Sequence, residues 1–537
     1  MKTLYIYLSI IGLLLTAFPA QAASEAQYRK LHKTYTLRPD GSQEMRVLKE
    51  LTLYTHAAMN SLYGETFIVY DPQYQELKIH DSYTRQKDGT IIRTPANAFV
   101  EVLPANAANA PAYNGLKEMV VVHTGLELGA TIYLDYSIIS RPGYLSELDV
   151  CCPVRELSPI DEYICRIEIP EDKTCHYQLL NASATPSVET RQQGMKAFTW
   201  TLRNVQPRPY SYPSLHGSLG LAQRVASGMM PVLIATTWDN HTEALASLQK
   251  QFIPGNMDIV QAQLKKLTQS VEGNVSTIHQ AIDQYMSRLY RKAMCGVTLQ
   301  EAGYRLRPAS EVIRTAYGTQ AELANLHFQL LQVAGLQAEV AVCGLQTSVA
   351  GLAGTLSVIV KEEAVCAKAL PGNAEACLQD YLNVTGLQGE KLSLPVASSA
   401  ETSQDTLVAD KCPAQIPAEG WRVMTLPTLA ETFPLVAYAA NTSIRENILL
   451  PQTVNISRKT FVRLPQGLSW NGKADKTIVN SCGEVSFLYQ PESDGIIVTQ
   501  TLRVIRQLLT PGDYKEFYAL MAEWRDNNNR TLVLKKP

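Results

Sequence analysis

The sequence predicts a multidomain α+β protein: an N-terminal antiparallel β-sandwich, a central α+β core and a C-terminal β domain with one helix. Three observations carry this prediction. The 537 residues exceed what one hydrophobic core organises. Apolar and polar residues alternate from about residue 24 to 205 and again after about 420, the two-residue period of half-buried strands. Between these stretches apolar positions recur at the three-to-four-residue spacing of helices.

In chain order, residues 1–22 read as a secretory signal peptide. Lys2 supplies the positive start, Leu4 to Phe18 is almost wholly apolar, and Ala20-Gln21-Ala22 is a small-x-small cleavage signal. The alternative is a retained N-terminal anchor. Residues 23–217 are expected to form the sandwich. Pro39-Asp40-Gly41 and Lys87-Asp88-Gly89 are turn chemistry, and Ile132, Leu134, Tyr136 and Ile138 alternate, as do Phe198, Trp200 and Leu202. Ala105 to Ala112 reads as a loop. Gln206 to Gly217, with three prolines, reads as a linker.

Residues 218–394 form the expected core. Ile278, Ile282, Tyr285, Met286 and Leu289 mark one helix, Ser310 a second, and residues 320–334 a third, with strands to about 385. Residues 395–418, rich in Ser, Ala, Thr and Pro, read as a second linker, and 419–537 as the C-terminal domain. There Pro511-Gly512-Asp513 opens a helix whose Phe517, Tyr518, Met521 and Trp524 share a face, and Thr531 to Leu534 forms a final strand.

Lys and Arg number 48 and Asp and Glu 50, a net charge of -2, which offers no basic field for nucleic acid. Beyond the leader no segment reaches the length of a bilayer-spanning helix. The ten cysteines include no CxxC and no Cys/His cluster of zinc spacing, so neither a metal nor a cofactor is expected. Cys366 and Cys377 bracket a Pro-Gly loop as one candidate disulfide, while Cys165 and Cys343 fit buried strand positions. HExxH, P-loop and GxGxxG motifs are absent.

The informative segment runs from Gly303 to Leu326. Arg307-Pro308-Ala309-Ser310, Tyr317-Gly318, Ala324-Asn325-Leu326 and then Ala334-Gly335 resemble the core motif of bacterial transglutaminase-like proteins of the papain-like superfamily. The flanking β-rich regions look like the two uncharacterised families that accompany this core in secreted bacterial proteins. The resemblance implies a Cys-His-Asp triad. A cysteine in the first helical turn is favoured as thiolate by the positive helix end, a histidine on a following strand acts as base, and an aspartate orients it. Here the nucleophile position holds Gln320, preceded by Thr319. The strand positions align with Ser357 and Asn383. No histidine follows His327, so no base can come after the helix in the family's order. The helix is nevertheless well specified: Thr319-Gln320-Ala321-Glu322 is a capping box, with Thr319 and Glu322 reciprocally capping.

The sequence therefore points to an exported protein of the periplasm or cell surface that keeps a transglutaminase-like scaffold without its triad. It would bind a peptide, glycan or protein through the former cleft or the β domains. One alternative is a cysteine hydrolase with a relocated nucleophile, Cys295, for which His279 and His327 are the local bases. The other is a purely structural envelope protein. His327, two turns past Gln320, reads first as a structural histidine.

Overall fold

The computed structural model describes residues 24–191, 194–208, 219–269, 274–362, 374–394, 400–409, 414–415, 419–427, 433–439, 444 and 446–535. The leader, most of the 206–217 linker and Cys366 lie outside them.

The N-terminal region is a β-sandwich, built as the alternation predicts. Its strands are β1 (Ala26–Leu37), β2 (Gln43–Leu53), β3 (Glu65–Tyr70), β4 (Gln75–Arg85), β5 (Ile91–Arg93), β6 (Phe99–Val102), β7 (Lys117–Val122), β8 (Thr131–Ser140), β9 (Asp149–Pro153), β10 (Ile160–Pro170), β11 (His176–Leu180), β12 (Ser187–Arg191) and β13 (Met195–Val205). Eight of them form one sheet in the order β12-β13-β10-β1-β2-β8-β4-β5. Pro39-Asp40-Gly41 turns β1 into β2, and Gly41 takes the left-handed conformation that a glycine accepts without strain. The sheet is not wholly antiparallel, because β1 lies parallel to β10. The β3-β7-β6 sheet packs Ile68, Tyr70 and Val121 against Leu134 and Ile138 of β8.

A correction concerns the domain boundary. After helix α1 (Leu219–Ala226) the chain makes β14 (Val232–Thr236), which inserts between β11 and β9. A segment expected in the core thus completes a sheet of the N-terminal domain. Its five residues are all buried, and such a continuous apolar run has no period to betray a strand.

The core follows with α2 (His241–Gln249), α3 (Met257–Thr268), α4 (Val275–Lys292), α5 (Ala309–Thr315) and α6 (Gln320–Val333). Its sheet consists of β15 (Ala338–Leu345), β16 (Thr355–Glu362) and β17 (Leu382–Gly386) in the order β16-β15-β17. One face of this sheet carries Val340, Val342 and Val358 against Ala321 and Ala324 of α6. The other packs Ala341, Cys343 and Val384 against Ala222 of α1 and Val232 and Ile234 of β14.

The second linker is the other correction. Within 395–418 the structure contains β18 (Ala400–Val408) and β19 (Ala414–Gln415). β18 joins β22 (Val454–Arg463) in parallel, so pairing overrides a composition that reads as loop. The C-terminal domain adds β20 (Trp421–Thr425), helix α7 (Phe433–Tyr438), the ribbon of β21 (Ile448–Leu449) with β27 (Leu508–Leu509), and β23 (Ser469–Trp470), β24 (Lys476–Asn480), β25 (Gly483–Glu492), β26 (Gly495–Val504) and β28 (Thr531–Lys535). Helix α8 (Pro511–Arg525) buries Phe517, Met521 and Trp524, as its spacing predicts. No helix among the described residues is long and apolar enough to cross a membrane.

Candidate functional site

The start of α6 is built from the outside inward by buried hydrogen bonds. Thr319 Oγ1 accepts from the Glu322 amide at 3.2 Å, and Glu322 Oε2 accepts from the Thr319 amide at 2.9 Å, the reciprocal cap that the sequence predicts. Glu322 is fully buried and does more than cap. It accepts from Arg307 Nε at 2.8 Å, Arg307 Nη2 at 2.8 Å and the Arg307 amide at 3.0 Å. It also accepts from the Tyr113 hydroxyl at 2.7 Å. Burial alone would raise its pKa; the hydrogen bonds and charge of Arg307, with Tyr113 and the Thr319 amide, outweigh it and hold the carboxyl below its usual range. The Arg307 guanidinium lies over the Tyr317 ring at 4.7 Å.

These contacts give the motif residues a structural meaning. A side chain at Gly318 would meet Glu322 and Val312 at 3.3 Å. Buried Ser310 accepts from the Asn256 amide at 3.1 Å, and buried Asn325 donates to the Ile253 carbonyl at 3.1 Å, so both hold the segment before α3.

Gln320 is half-buried and faces the edge strand β16. Its Oε1 accepts from the Val358 amide at 2.9 Å, and its Nε2 donates to the Val358 carbonyl. The side-chain amide thus pairs with the strand as a peptide unit of a neighbouring strand would. One N–H and one lone pair of the amide are engaged, and the edge strand is paired at Val358.

Ser357 and Asn383 do not join Gln320. Ser357 lies opposite Cys343 on β15, and Cys343 lies opposite Val384 on β17. Cross-strand partners share a face, so Ser357 belongs to the face packed on α1 and β14, away from α6. Placing it on the former cleft is corrected by strand parity: a shift of one residue changes the face. The β16 residue that meets Gln320 is Val358, through its backbone. Asn383 does lie at a cleft. Its Nδ2 donates to the Thr347 carbonyl at 2.9 Å, and it lines a 380 Å³ cavity with His176, Asp239, His241, Ser348 and Lys391. Neither Gln320 nor Ser357 lines that cavity.

Cys295 lies beside the α6 start, its amide donating to the Gly318 carbonyl at 2.9 Å. Tyr113, with Ala107 and Leu116 of the 105–116 segment, packs around it. Burial and then the Glu322 charge raise its thiol pKa; the Val297 amide and Arg307 only partly offset them. That environment disfavours a thiolate nucleophile. The segment Ala105 to Ala112, expected as a loop, holds the 3₁₀ turn Ala105–Ala107 and the start of a second, Pro111–Tyr113, and it covers the helix start: the Ala112 amide donates to Tyr317 Oη at 2.6 Å. The sequence showed no sign of this covering, because Tyr113 and Glu322 lie in different domains.

His327 is 3% exposed and projects from α6 toward Glu362 of β16. Val358 and Glu362 share strand parity, so His327 does lie on the same side of α6 as Gln320, two turns further on. His279 of α4 is beside it, hydrogen-bonded to Glu362 and 3.2 Å from Asp283. Burial holds the His327 pKa down at about 4 and raises that of Asp283 to about 6. Of the two histidines considered as bases for Cys295, His279 is hydrogen-bonded to Glu362, and His327 Nε2 points at Glu362 and Asp283 without a hydrogen bond.

Residues 39–209 match the family model DUF3857 and residues 421–534 the model DUF3858, each described as a domain of unknown function. The crystal structure of a "putative protease" from Parabacteroides distasonis is 34% identical, with a TM-score of 0.83, over 95% of this chain and 99% of that one. An M1 zinc metallopeptidase of Deinococcus radiodurans is 14% identical over 40% of this chain and 44% of its own, with a TM-score of 0.20, which supports no inference. No curated protein matches the chain.

Proposed function

This chain belongs to one family with the Parabacteroides distasonis protein, and from that premise we propose that it is an exported, non-catalytic member of a transglutaminase-like lineage that binds a polypeptide partner. The observation that carries the reading is Gln320. At the position where the resemblance calls for a nucleophilic thiol, the chain has an unreactive amide that binds Val358 through both its nitrogen and its oxygen. No imidazole faces it from β16, and Tyr113 closes the helix start. The cavity beside Asn383 supports a binding role: its polar lining carries both signs of charge, and its size suits a short side-chain segment. The apolar stretch Leu4 to Phe18 and the Ala20-Gln21-Ala22 signal support export.

The test uses the mature chain with casein and fluorogenic peptides, scoring both hydrolysis and amine incorporation. No turnover above buffer is expected, with or without iodoacetamide; turnover abolished by iodoacetamide overturns the proposal. A pool of synthetic peptides serves as the binding probe. Retention is expected to fall for Asn383→Trp, which fills the cavity, and retention of no peptide by the unmodified chain counts against a peptide partner.

The words "putative protease" used of the Parabacteroides relative favour a second reading, hydrolysis, for which Cys295 is the nucleophile this chain offers. It requires Cys295→Ala to abolish whatever turnover is found.

A further inference from the structure

Four side chains from three core elements converge away from the α6 start. His279 and Asp283 are one turn apart on α4, His327 lies in the middle of α6, and Glu362 ends β16. His279 Nδ1 is 3.2 Å from Asp283 Oδ2, and His327 Nε2 is 3.3 Å from Glu362 Oε1 and 3.8 Å from Asp283 Oδ1. His279 Nε2 contacts the other oxygen of Glu362.

The decisive atom is His327 Nε2. The residue is 3% exposed, and this nitrogen has no hydrogen-bond partner although it points at two carboxylates. Asp283 Oδ1 is also buried without a partner. A buried polar atom without a hydrogen-bond partner is costly, and these two stand 3.8 Å apart, too far for a direct hydrogen bond, so a third partner would satisfy both. Two carboxylates, Asp283 and Glu362, stand in the cluster, the negative charge that a divalent cation complements. One ligand atom each from His279, Asp283 and Glu362 lies within 4.8 Å of the other two, and His327 Nε2 is aimed at both carboxylates, so a zinc ion with ligands at about 2.0–2.2 Å would draw the three in with His327 beside them.

We propose that His279, Asp283, His327 and Glu362 form a binding site for a divalent metal ion of the zinc class. Two imidazoles and two carboxylates suit zinc better than the all-oxygen shells of calcium or magnesium. Four protein ligands complete a tetrahedron and leave no position for a reactive water, so the ion is structural. It ties α4 and α6 to the end of the same edge strand that Gln320 holds at Val358. His279, Asp283 and Glu362 are each about a fifth to a quarter exposed, which gives the ion a path in. The site is independent of the proposed function: it survives whether or not the chain is an enzyme. Sequence spacing hid it, because the ligands come from two helices and a strand rather than from one short motif.

The experiment uses the untagged mature chain, stripped with a chelator and titrated with Zn²⁺ alone, with binding followed by calorimetry and metal content. One equivalent is expected to bind saturably, and Co²⁺ in its place should give the intense visible absorption of a tetrahedral site. His327→Ala, His279→Ala and Glu362→Gln should each weaken binding by more than the about 10–100-fold that loss of an outer-shell partner costs. Glu362→Gln keeps the side-chain shape at a partly exposed position, so it decides the matter should His327→Ala fail to fold. Absence of saturable binding overturns the site. So does one-equivalent binding that Glu362→Gln and His279→Ala leave unchanged.

Discussion

Gln320 closes two backbone hydrogen bonds on β16 with one side chain, and its removal exposes what it does. Gln320→Ala leaves the Val358 amide and carbonyl facing a half-buried gap. A loss of about 1–3 kcal/mol is expected from urea unfolding followed by near-ultraviolet circular dichroism. Gln320→Cys is expected to remain inactive on the peptides above, because Val358 rather than an imidazole stands opposite. Glu322 is the more costly position. Glu322→Ala strands the Arg307 guanidinium, which is largely buried, and should destabilise the chain by about 3–5 kcal/mol in the same measurement. The folded pKa of Glu322 lies below its unfolded value. Its contribution is therefore present above the unfolded carboxyl range and lost as the pH falls through the folded pKa.

At the scale of elements, helices are the part the sequence announces best. The capping box of α6 and the Pro511 start of α8 both fall where the residues place them, since a cap is a local contract between residues three apart. α8 offers the cleaner measurement: Thr510 caps at a solvent-exposed site with Asp513 reciprocating. Thr510→Ala should cost about 1 kcal/mol in urea unfolding of the intact chain. Strands are less legible. β18 hides in a Ser- and Thr-rich stretch because its partner, β22, lies some fifty residues on. Ser357 shows the finer failure. The residue pattern marks the strand, but its parity, which decides whether a side chain faces α6 or α1, depends on pairing with β15.

The whole molecule is held together by contacts that cross its domains. Tyr113 from the N-terminal domain reaches Glu322 in the core, and Gln223 of α1 donates to Tyr438 Oη and to the Leu449 carbonyl, both at 2.9 Å, in the C-terminal domain. Asp149 of β9 is the titratable contact. It accepts from the Leu352 amide, and a side chain at Gly351 would meet its carboxylate at 2.7 Å. Burial raises its pKa to about 7, against the partial offset of the Leu352 and Ala353 amides and Trp238. The folded chain thus keeps a proton that the unfolded chain releases near 3.8, and this group's contribution falls as the pH rises through about 7. Asp149→Asn should keep the contact and remove that part of the slope. The urea midpoint of the variant should drop less than that of the unmodified chain between about pH 5 and about pH 8. An equal drop in both would assign the slope to other groups.

Residue order alone specifies the periodic elements, the caps, the multidomain α+β plan and the absence of any histidine after His327. Each is either a count or an interaction within a few residues. Tertiary structure alone decided that β14 belongs to the N-terminal domain, that Tyr113 closes the start of α6, that Ser357 faces the wrong way, and that His327 looks into a cluster drawn from two helices and a strand. Those outcomes depend on which surfaces meet, and burial and pairing between distant segments are settled only when the whole chain packs.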